Sequence, residues 1–515
     1  MPPSRSARLA LGALIGALSA AVTLGVGEVA AAFVRPEASP VLVVGNRFVE
    51  LTPESVKRWA IRNFATQDKH VLLTGIYVIV AVFALAVGVL AVHRLWLGLA
   101  GVGVLGAIGV SSALTAAAHR AGDVVPTIIG TLTGAAALVA LVRLLDASSP
   151  REPAGAAPLG PQRRRFLQGG VAAAGLAALS GFGGRAAQHA RFDVSSARAA
   201  VVLPPASGPV PSASGTDLGR SGQPWQTPNG QFYRIDTALN VPQVNPDTWS
   251  LRIHGMVDRE VTLTYAELLE RPLIDRWITL CCVSNEIGGD LVGNALFRGA
   301  RFADLLREAG VHPQADQLLM TSVDRMTIGA PTAVVMDGRD ALVAVGMNGQ
   351  PLPLQHGFPA RIVVPGLYGY VSACKWVVDV EATTYDEQSA YWIQAGWDRR
   401  SNVEVASRID TPGAGATLAV GRPAAIAGVA WDQHVGVTGV ELQVDGGDWL
   451  PARLAAVPST DTWRQWVLAW TPPHPGSYTL RVRAIDGRGN PQDDNDRDAF
   501  PMGATGLHTI MVRAR

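Results

Sequence analysis

The chain has 515 residues, long enough for several domains, and carries 43 Lys and Arg against 42 Asp and Glu, a net charge of +1. This balance excludes the strongly basic surface by which proteins bind nucleic acid. Hydrophobic residues make up 48%, and the surplus lies in the N-terminal third. Three cysteines, two of them adjacent, provide neither a disulfide framework nor a paired CxxC metal site.

Four long apolar segments at the N-terminus predict transmembrane helices, which need about 20 residues each. The segments are residues 9–34, 71–92, 95–118 and 124–145. None of them shows the polar face that a helix of a soluble domain turns to water. We therefore predict a membrane domain in residues 1–150.

Between the first two segments, residues 51–70 predict a short helix that starts near Pro53. Val56, Trp59 and Phe64, with Ala60, share one face of this helix. Such a face is typical of a helix on a membrane surface, although an ordinary loop helix has the same pattern.

Residues 151–224 form a predicted linker, and "RRRFLQGG" from Arg163 stands in it ahead of a small-residue apolar run. The run resembles a twin-arginine export signal, but a fifth transmembrane helix with a basic cytoplasmic flank explains it as well. Both interpretations place the residues after Gly184 outside the cytoplasm, first as a flexible tether. Bound haem is not expected, because His70, His93 and His119 lie only at segment ends.

The second half of the chain divides into two predicted soluble domains. Residues 225–400 alternate strands such as "WSLRIHG" with helical stretches such as "RFADLLREAGV", which predicts an α+β domain. Residues 401–515 alternate apolar and polar positions between Asp-Gly, Gly-Gly and Pro-Pro turns, which predicts an all-β sandwich.

Four sequence blocks follow one another through these two domains. They are "GQFYRIDTALNVPQVNPDTWSLRIHG" (230–255), "TLCCVSN" with "GNALFRGARFADLL" (279–306), "MNGQPLPLQHGFPARIVVPGLYGYVSACKW" (347–376) and "VELQVDGGDWLPARL" (440–454). In this order they resemble the sulfite oxidase family of molybdenum enzymes, over about residues 230–515. The resemblance implies an α+β molybdopterin domain of the sulfite oxidase type followed by an immunoglobulin-like sandwich.

The adjacent cysteines Cys281 and Cys282 cannot easily form an ordinary disulfide, because neighbouring side chains project apart. Either residue could pack as a small apolar side chain or serve as a thiolate ligand. In the family, the cysteine that follows "TL" after one intervening residue binds molybdenum. This implies that Cys282 is the metal ligand. Cys281 would then face the other side of the strand and pack.

The implied cofactor is molybdenum-molybdopterin, whose phosphate requires cations and N–H donors. The residues that the resemblance places at this cofactor are Phe232, Tyr233, Arg234, Asp324, His356, Arg361, Ala373, Cys374 and Lys375. The Cys374 thiol itself is interpreted as a small buried side chain that packs. Whether Asp324 contacts the cofactor is left open. Taken alone, His356 could be an ordinary loop histidine and Lys375 a solvated surface lysine.

The chain departs from sulfite oxidases where those enzymes carry two arginines and a tyrosine near the metal. Here the positions read Ile235, Ile287 and Trp397, with Arg234 one residue early. Sulfite is anionic and needs cations around the open face of the metal. Trp397 is therefore a candidate catalytic residue at a site suited to a neutral S-oxide, N-oxide or other apolar oxygen acceptor.

These observations predict an exported, membrane-anchored molybdenum oxidoreductase that transfers an oxygen atom and two electrons, and not on sulfite. Its expected partners are the membrane, a small-molecule oxo donor or acceptor and an electron-transfer partner that the sequence does not identify. No nucleic acid is expected, and a homodimer is left open. The alternative is a non-catalytic membrane-tethered binding or assembly module that kept the fold.

Overall fold

The computed structural model describes residues 5–64, 68–116, 118–147, 161–399 and 402–515. They form two compact units. The helical unit comprises Met1–Asp193 and Thr237–Gln243, and the mixed unit comprises Val194–Asp236 and Val244–Arg515.

The helical unit consists of long apolar helices with two shorter ones between them. The helices are α1 (Arg5–Ala31), α2 (Pro40–Leu51), α3 (Glu54–Phe64), α4 (Asp68–His93), α5 (Leu95–Thr115), α6 (Val124–Ala147) and α7 (Pro161–Phe192). Five of them, α1 and α4 to α7, are long and apolar enough to cross a membrane. This confirms the four predicted apolar helices, and α7, which contains the arginine run, is the fifth helix that one of the two interpretations of that run required. Helix α1 packs against α4, α6 and α7.

Small residues allow these helices to approach closely. A Cβ atom on Gly16 of α1 would lie 1.9 Å from the carbonyl oxygen of Ala84 in α4. A Cβ atom on Gly184 of α7 would lie 2.6 Å from the carbonyl carbon of Glu28 in α1. Helices in lipid associate through such close backbone contacts, since no hydrophobic effect drives them together. Helix α7, which contains the arginine run, is thus packed as a member of the bundle.

The predicted surface helix is α3, and its apolar face is open to solvent. Val56 is 48% exposed and Trp59 is 56% exposed. The sequence analysis did not predict the preceding helix α2, which has Pro40 in its first turn.

The first domain of the mixed unit combines two sheets with short helices. The helices are α8 (Ser195–Ala200), α9 (Tyr265–Leu269), α10 (Phe302–Ala309), α11 (Thr332–Val335) and α12 (Tyr391–Gln394). The strands are β1 (Ser250–Gly255), β2 (Val261–Thr264), β3 (Leu273–Cys281), β4 (Val292–Arg301), β5 (Gln317–Ser322), β6 (Thr327–Pro331), β7 (Leu342–Met347), β8 (Gln350–Pro351), β9 (Arg361–Val363) and β10 (Val377–Thr383). One sheet has the order β2-β1-β10-β5-β6, and the other has the order β3-β4-β7-β8 with β9 paired to β7.

The final domain is all β, as predicted. Its strands are β11 (Ala406–Thr411), β12 (Thr417–Leu418), β13 (Ala424–Trp431), β14 (Val437–Val444), β15 (Trp449–Pro451), β16 (Arg453–Leu454), β17 (Arg464–Trp470), β18 (Gly476–Asp486) and β19 (Thr509–Ala514). They form two sheets of order β11-β13-β17-β16 and β12-β19-β18-β14-β15 around an apolar core.

The segment predicted as a tether is partly bound to the mixed unit. Arg198 donates hydrogen bonds of 2.6 Å to the carbonyl oxygens of Leu352 and Pro351. Further along, the indole N–H groups of Trp225 and Trp463 donate to each other's carbonyl oxygens at 3.3 and 2.8 Å. Because Trp463 belongs to the sandwich domain, Trp225 also joins the two domains of this unit.

Candidate functional site

The two adjacent cysteines lie at the end of β3, where they take different environments. Cys281, the last strand residue, pairs with Val292 of β4 and is only 2% exposed. Cys282 follows the strand, is half-buried, and donates its backbone N–H to the Leu291 carbonyl at 2.9 Å. Cys281 packs in the apolar core. The placement agrees with a packing role for Cys281 and leaves Cys282 as the candidate ligand.

The pKa of the Cys282 thiol is shifted in opposite directions by burial and by its neighbours. Burial raises its pKa, whereas hydrogen bonds with Ser284 and the positive charge of Lys375 lower it. A bound metal ion would favour the thiolate strongly over the thiol. The pKa of Cys281 lies well above its ordinary value because of burial, which keeps that thiol neutral.

Tyr233 connects the first sequence block to the cysteines. Burial raises the pKa of Tyr233 well above the ordinary value, ionisation of the nearby Cys282 and Cys281 thiols would raise it further, and Arg361 lowers it. The rings of Tyr233 and Phe232 stack with centroids 5.3 Å apart, and Phe232 contacts His356 edge-to-face at 5.6 Å. Residues far apart in sequence thus meet around Tyr233.

His356 and Arg361 of the third block are both buried. Burial, followed by the charge of Arg361, lowers the pKa of His356 to about 3, so the imidazole is neutral near pH 7. Its Nε2 lies 3.0 Å from the Asn229 carbonyl oxygen and must therefore carry the proton. Arg361 donates from Nη1 to the His356 carbonyl at 3.2 Å. Its Nε is buried without a hydrogen-bond partner among the described residues.

Asp236 holds two of the predicted cofactor-binding cations together. Its carboxylate accepts hydrogen bonds from Arg234 Nε at 2.9 Å and from Lys375 Nζ at 2.8 Å, and its side chain is 4% exposed. The sequence analysis missed Asp236, although its position two residues after Arg234 in the first block was a usable signal. Lys375 is not the solvated surface lysine that was considered, because its side chain is only 11% exposed.

The backbone of the third block sets the spacing of the cations. Arg361 and Lys375 face each other across an isolated antiparallel bridge. Gly357 has a φ of +110°, and a Cβ atom there would lie 3.0 Å from the Arg361 Cβ and 3.2 Å from the Lys375 Cα. This close approach requires glycine.

Cys374 and Asp324 lie next to each other at the edge of this cluster. Burial raises the pKa of the fully buried Cys374, and the charge of Asp324 raises it further. Asp324 accepts a hydrogen bond from the Met326 backbone N–H at 3.2 Å. Ala373 donates its N–H to the Gly369 carbonyl at 2.9 Å. Cys374 is thus a buried neutral thiol, as its interpretation as filler requires.

The three residues that replace the polar groups of sulfite oxidases occupy different environments. Trp397 is 5% exposed and packs against Tyr370 and Phe500, with ring centroids 5.7 and 5.2 Å away. Ile287 is 37% exposed, and Ile235 is half-buried. The structure shows Trp397 as a core residue, and its catalytic role stays a prediction.

The cluster fits the predicted cofactor. Arg234 and Lys375 share the carboxylate of Asp236, and together with Arg361 their positive charges act on His356. This concentration of cations suits a phosphate. The orphaned Arg361 Nε is a buried donor that needs an acceptor. A half-buried thiol at Cys282, electrostatically coupled to Lys375, supplies a soft ligand for a metal on the same cofactor.

Two family models match the mixed unit. The model described as "Oxidoreductase molybdopterin binding domain" matches residues 238–392, and "Bacterial Ig domain" matches residues 406–482. They confirm the predicted fold class, a molybdopterin domain followed by an immunoglobulin-like domain. The first match ends before Trp397 and includes Cys282, His356, Arg361 and Lys375.

Curated relatives match about half of the chain. Sulfite oxidase from Gallus gallus is 30% identical over 319 residues, covering 52% of this chain and 68% of the relative. Mitochondrial sulfite oxidase from Rattus norvegicus is 28% identical over 315 residues, covering 52% of this chain and 57% of the relative. The chain spans about half the length of the first curated relatives that it matches.

A solved structure, the sulfane dehydrogenase SoxCD from Paracoccus pantotrophus, is similar at 24% identity and a TM-score of 0.47, over 56% of this chain and 82% of that chain. The sequence relatives and the molybdopterin-domain match lead to one assignment. This chain belongs to the sulfite oxidase family of molybdopterin oxidoreductases.

Proposed function

We propose that this protein is a membrane-anchored molybdenum-cofactor oxidoreductase that transfers an oxygen atom with two electrons to or from a small neutral molecule. The observation that carries the proposal is the cluster around Cys282, in which a half-buried thiol interacts electrostatically with Lys375 directly and with Arg361 by way of Tyr233. The anchoring rests on five helices of membrane-spanning length and apolarity.

Each residue of the cluster has a separate task in this proposal. Cys282 would bind molybdenum through its thiolate, while Lys375 and Arg361 would hold the pterin phosphate. Asp236 positions Lys375 and Arg234 through hydrogen bonds of 2.8 and 2.9 Å. When bound, the cofactor supplies the two-electron redox chemistry, and the protein supplies binding and orientation.

The substrate is proposed to be neutral because the loop after Cys282 has no cation of its own. The guanidinium that contacts this loop, Arg408, is already bound to the Asp410 carboxylate at 2.6 Å and to the Gly289 carbonyl at 2.5 Å. This loop, which runs to Leu291, contains Glu286, Ile287 and Asp290. Bringing an anion into a partly dry pocket costs several kcal/mol unless a cation pairs with it. Arg234 is half-buried and bound to Asp236, which reduces its ability to attract a second anion.

The proposal is tested by the metal content of two matched variants. We expect Cys282→Ser to lose bound molybdenum and activity but to keep the fold, because a hydroxyl replaces the thiol with little change in volume. Cys281→Ser should retain molybdenum and lose some stability, because it places a hydroxyl in an apolar core. Metal analysis of the purified proteins shows which of the two cysteines is needed to bind molybdenum. Absence of molybdenum from the unsubstituted protein would instead favour a non-catalytic binding module.

A second test concerns sulfite. We expect molybdenum-loaded protein to oxidise sulfite poorly, with a KM above about 1 mM, while it reacts with at least one neutral S-oxide or N-oxide. Steady-state kinetics with a one-electron acceptor measure the first reaction, and a reduced dye measures the second. A sub-millimolar KM for sulfite would reveal another cation at the open face and restore sulfite as the substrate.

A further inference from the structure

One end of the helical unit contains a cavity with a buried carboxyl group. The cavity has a volume of about 570 Å³ and lies between the C-terminal ends of α1 and α7, the first turns of α2 and α4, and the segment Thr237–Gln243. Its size falls within the range of small-molecule sites. Glu28 of α1, 7% exposed, is one of its lining residues. The sequence analysis did not single out this residue, although it is an acidic residue near the end of a long apolar segment.

Two neutral donors hold the Glu28 carboxyl group. Ser39 donates from Oγ to one carboxyl oxygen at 2.8 Å, and Gln188 donates from Nε2 to the other at 2.8 Å. Both side chains are buried, at 1% and 8% exposure. Among the residues that the structure describes, no cation forms an ion pair with Glu28. A carboxyl group in a helix of membrane-spanning length is costly to bury, and its retention marks a functional site more often than a structural one.

The other polar groups of the cavity favour a ligand that donates hydrogen bonds. The carboxyl groups of Glu37 and Asp193 join that of Glu28. The basic side chains of the lining are Arg185, which donates to the Tyr77 hydroxyl at 2.8 Å, and two histidines, His70 and His189, the second of which lies 3.6 Å from Asp193. This excess of carboxylates opposes the entry of a phosphate or carboxylate. The wall also contains apolar side chains, among them Leu73, Phe192 and Val241.

We propose that this cavity binds the ring of a hydroquinone or quinone, with a ring hydroxyl donating to Glu28. A neutral ring with two hydroxyl groups matches both the apolar wall and the surplus of acceptors. The choice of a redox-active ring rests on the proposed function, which needs an electron partner from or in the membrane. Oxidation of a hydroquinone to a quinone releases two electrons and two protons, and with an S-oxide as acceptor the overall products are the quinone, a sulfide and water.

The test measures binding of a short-chain benzoquinone and its hydroquinone to the full chain in lipid nanodiscs, by calorimetry and by photolabelling with an azido analogue. Glu28→Gln should weaken hydroquinone binding about tenfold, because the amide has one acceptor oxygen where the carboxyl group has two. Thr74→Trp should also weaken it, because the bulky ring would occupy the cavity from an exposed position on α4. Asp146→Asn is the matched control, since Asp146 is an exposed partner of Arg8 and does not line the cavity.

The proposal is supported if the azido quinone labels α1, α4 or α7 and if this labelling disappears in the Thr74→Trp variant. It is overturned if both cavity variants bind the hydroquinone as tightly as the control. It is equally overturned if mass spectrometry finds a phospholipid in the cavity that the quinone does not displace. Molybdenum content is measured on the same samples. Molybdenum without quinone binding refutes this inference alone, and quinone binding without molybdenum refutes the proposed function alone.

Discussion

His356 illustrates how its surroundings decide the chemistry of one residue in the candidate site. Its sequence context allowed either an ordinary loop histidine or a cofactor contact. In the fold it is 1% exposed, edge-on to Phe232, and fixed by a hydrogen bond to the Asn229 carbonyl. A neutral imidazole beside Arg361 leaves the positive charge of the cluster to the arginine and the lysine. His356 can then contact a cofactor without adding another buried charge.

The lowered pKa of His356 predicts a pH-dependent stability. The unfolded histidine takes up a proton as the pH falls below about 6.5, whereas the folded one, with a pKa of about 3, does not. The free energy of unfolding should therefore be greatest above pH 6.5 and fall as the pH decreases toward 3. In His356→Gln this pH-dependent part of the stability disappears. Between pH 6.5 and pH 5 we expect the free energy of unfolding of the variant to fall by about 1 to 2 kcal/mol less than that of the unsubstituted protein.

Urea denaturation of the cofactor-free protein, followed by tryptophan fluorescence at several pH values, measures this difference. The glutamine amide can still donate to the Asn229 carbonyl, so the variant changes titration more than hydrogen bonding. Parallel pH profiles for the two proteins would show that His356 titrates similarly in the folded and unfolded chains. The cofactor-free form is needed because a bound phosphate would add its own charge.

Residue roles were predictable from the sequence where spacing alone decides them. Neighbouring residues of a strand point to opposite faces, so packing of Cys281 and access to Cys282 could be expected. Asp236 could not be identified in this way, because its role depends on a lysine more than a hundred positions away. Its contact with Lys375 arises only when the first and third blocks meet.

At the scale of elements, periodicity and length predicted the apolar helices well and the short elements poorly. Helices α4 to α6 begin and end within a few residues of the predicted segments. Helix α2 was missed because it lies between a Pro-rich turn and the helix that follows. The arginine run allowed an export signal or a membrane helix, since both need a basic flank and a small-residue apolar run. The packing of α7 against α1 and α6 is what a helix that stays in the protein needs, and the choice between the two interpretations stays a prediction.

Helix α7 offers a direct test of that packing. A Cβ atom on Gly184 would lie 2.6 Å from the α1 backbone, whereas one on Gly183 would have nothing within 4 Å. Gly184→Leu should destabilise the helical bundle by roughly 1 to 3 kcal/mol, because the backbones must separate. Gly183→Leu gains the same helix propensity without the clash and should not be destabilised. Thermal unfolding in detergent compares the two, and equal stabilities would mean that α7 is not held against α1.

The whole molecule combines a helical unit with a two-domain mixed unit, and composition indicated that the N-terminal part is apolar. The helical unit extends beyond residue 150 to Asp193 because it includes α7, and the strands begin with β1 at Ser250. The predicted domain bounds stay a prediction. The assignment of the short segment Thr237–Gln243 to the helical unit could not be predicted, because it interrupts the first block of the molybdopterin domain. Only tertiary contacts reveal that the chain enters the mixed unit, leaves it for these residues, and returns.

The orientation in the membrane depends on the number of crossings. With five crossings the termini lie on opposite sides, and Arg163 to Arg165 at the start of α7 favour an N-terminus in the cytoplasm. Six Lys and Arg between Arg35 and Lys69 would then face outward and oppose this orientation. Two of these are bound to carboxylates, in the pairs Arg35–Asp123 and Arg47–Glu50. The arginine run lies at the start of α7 and follows a short connection. It is therefore expected to determine the orientation.

An alkaline phosphatase fused after Arg515 should be active, because this enzyme works only outside the cytoplasm. The same enzyme fused after Ala147, which follows four crossings, should be inactive. A β-galactosidase fused at the same two positions should show the opposite pattern. If β-galactosidase is active after Arg515, the mixed unit lies in the cytoplasm. Its partners would then have to be sought there, and the arginine run would face outward against the charge rule.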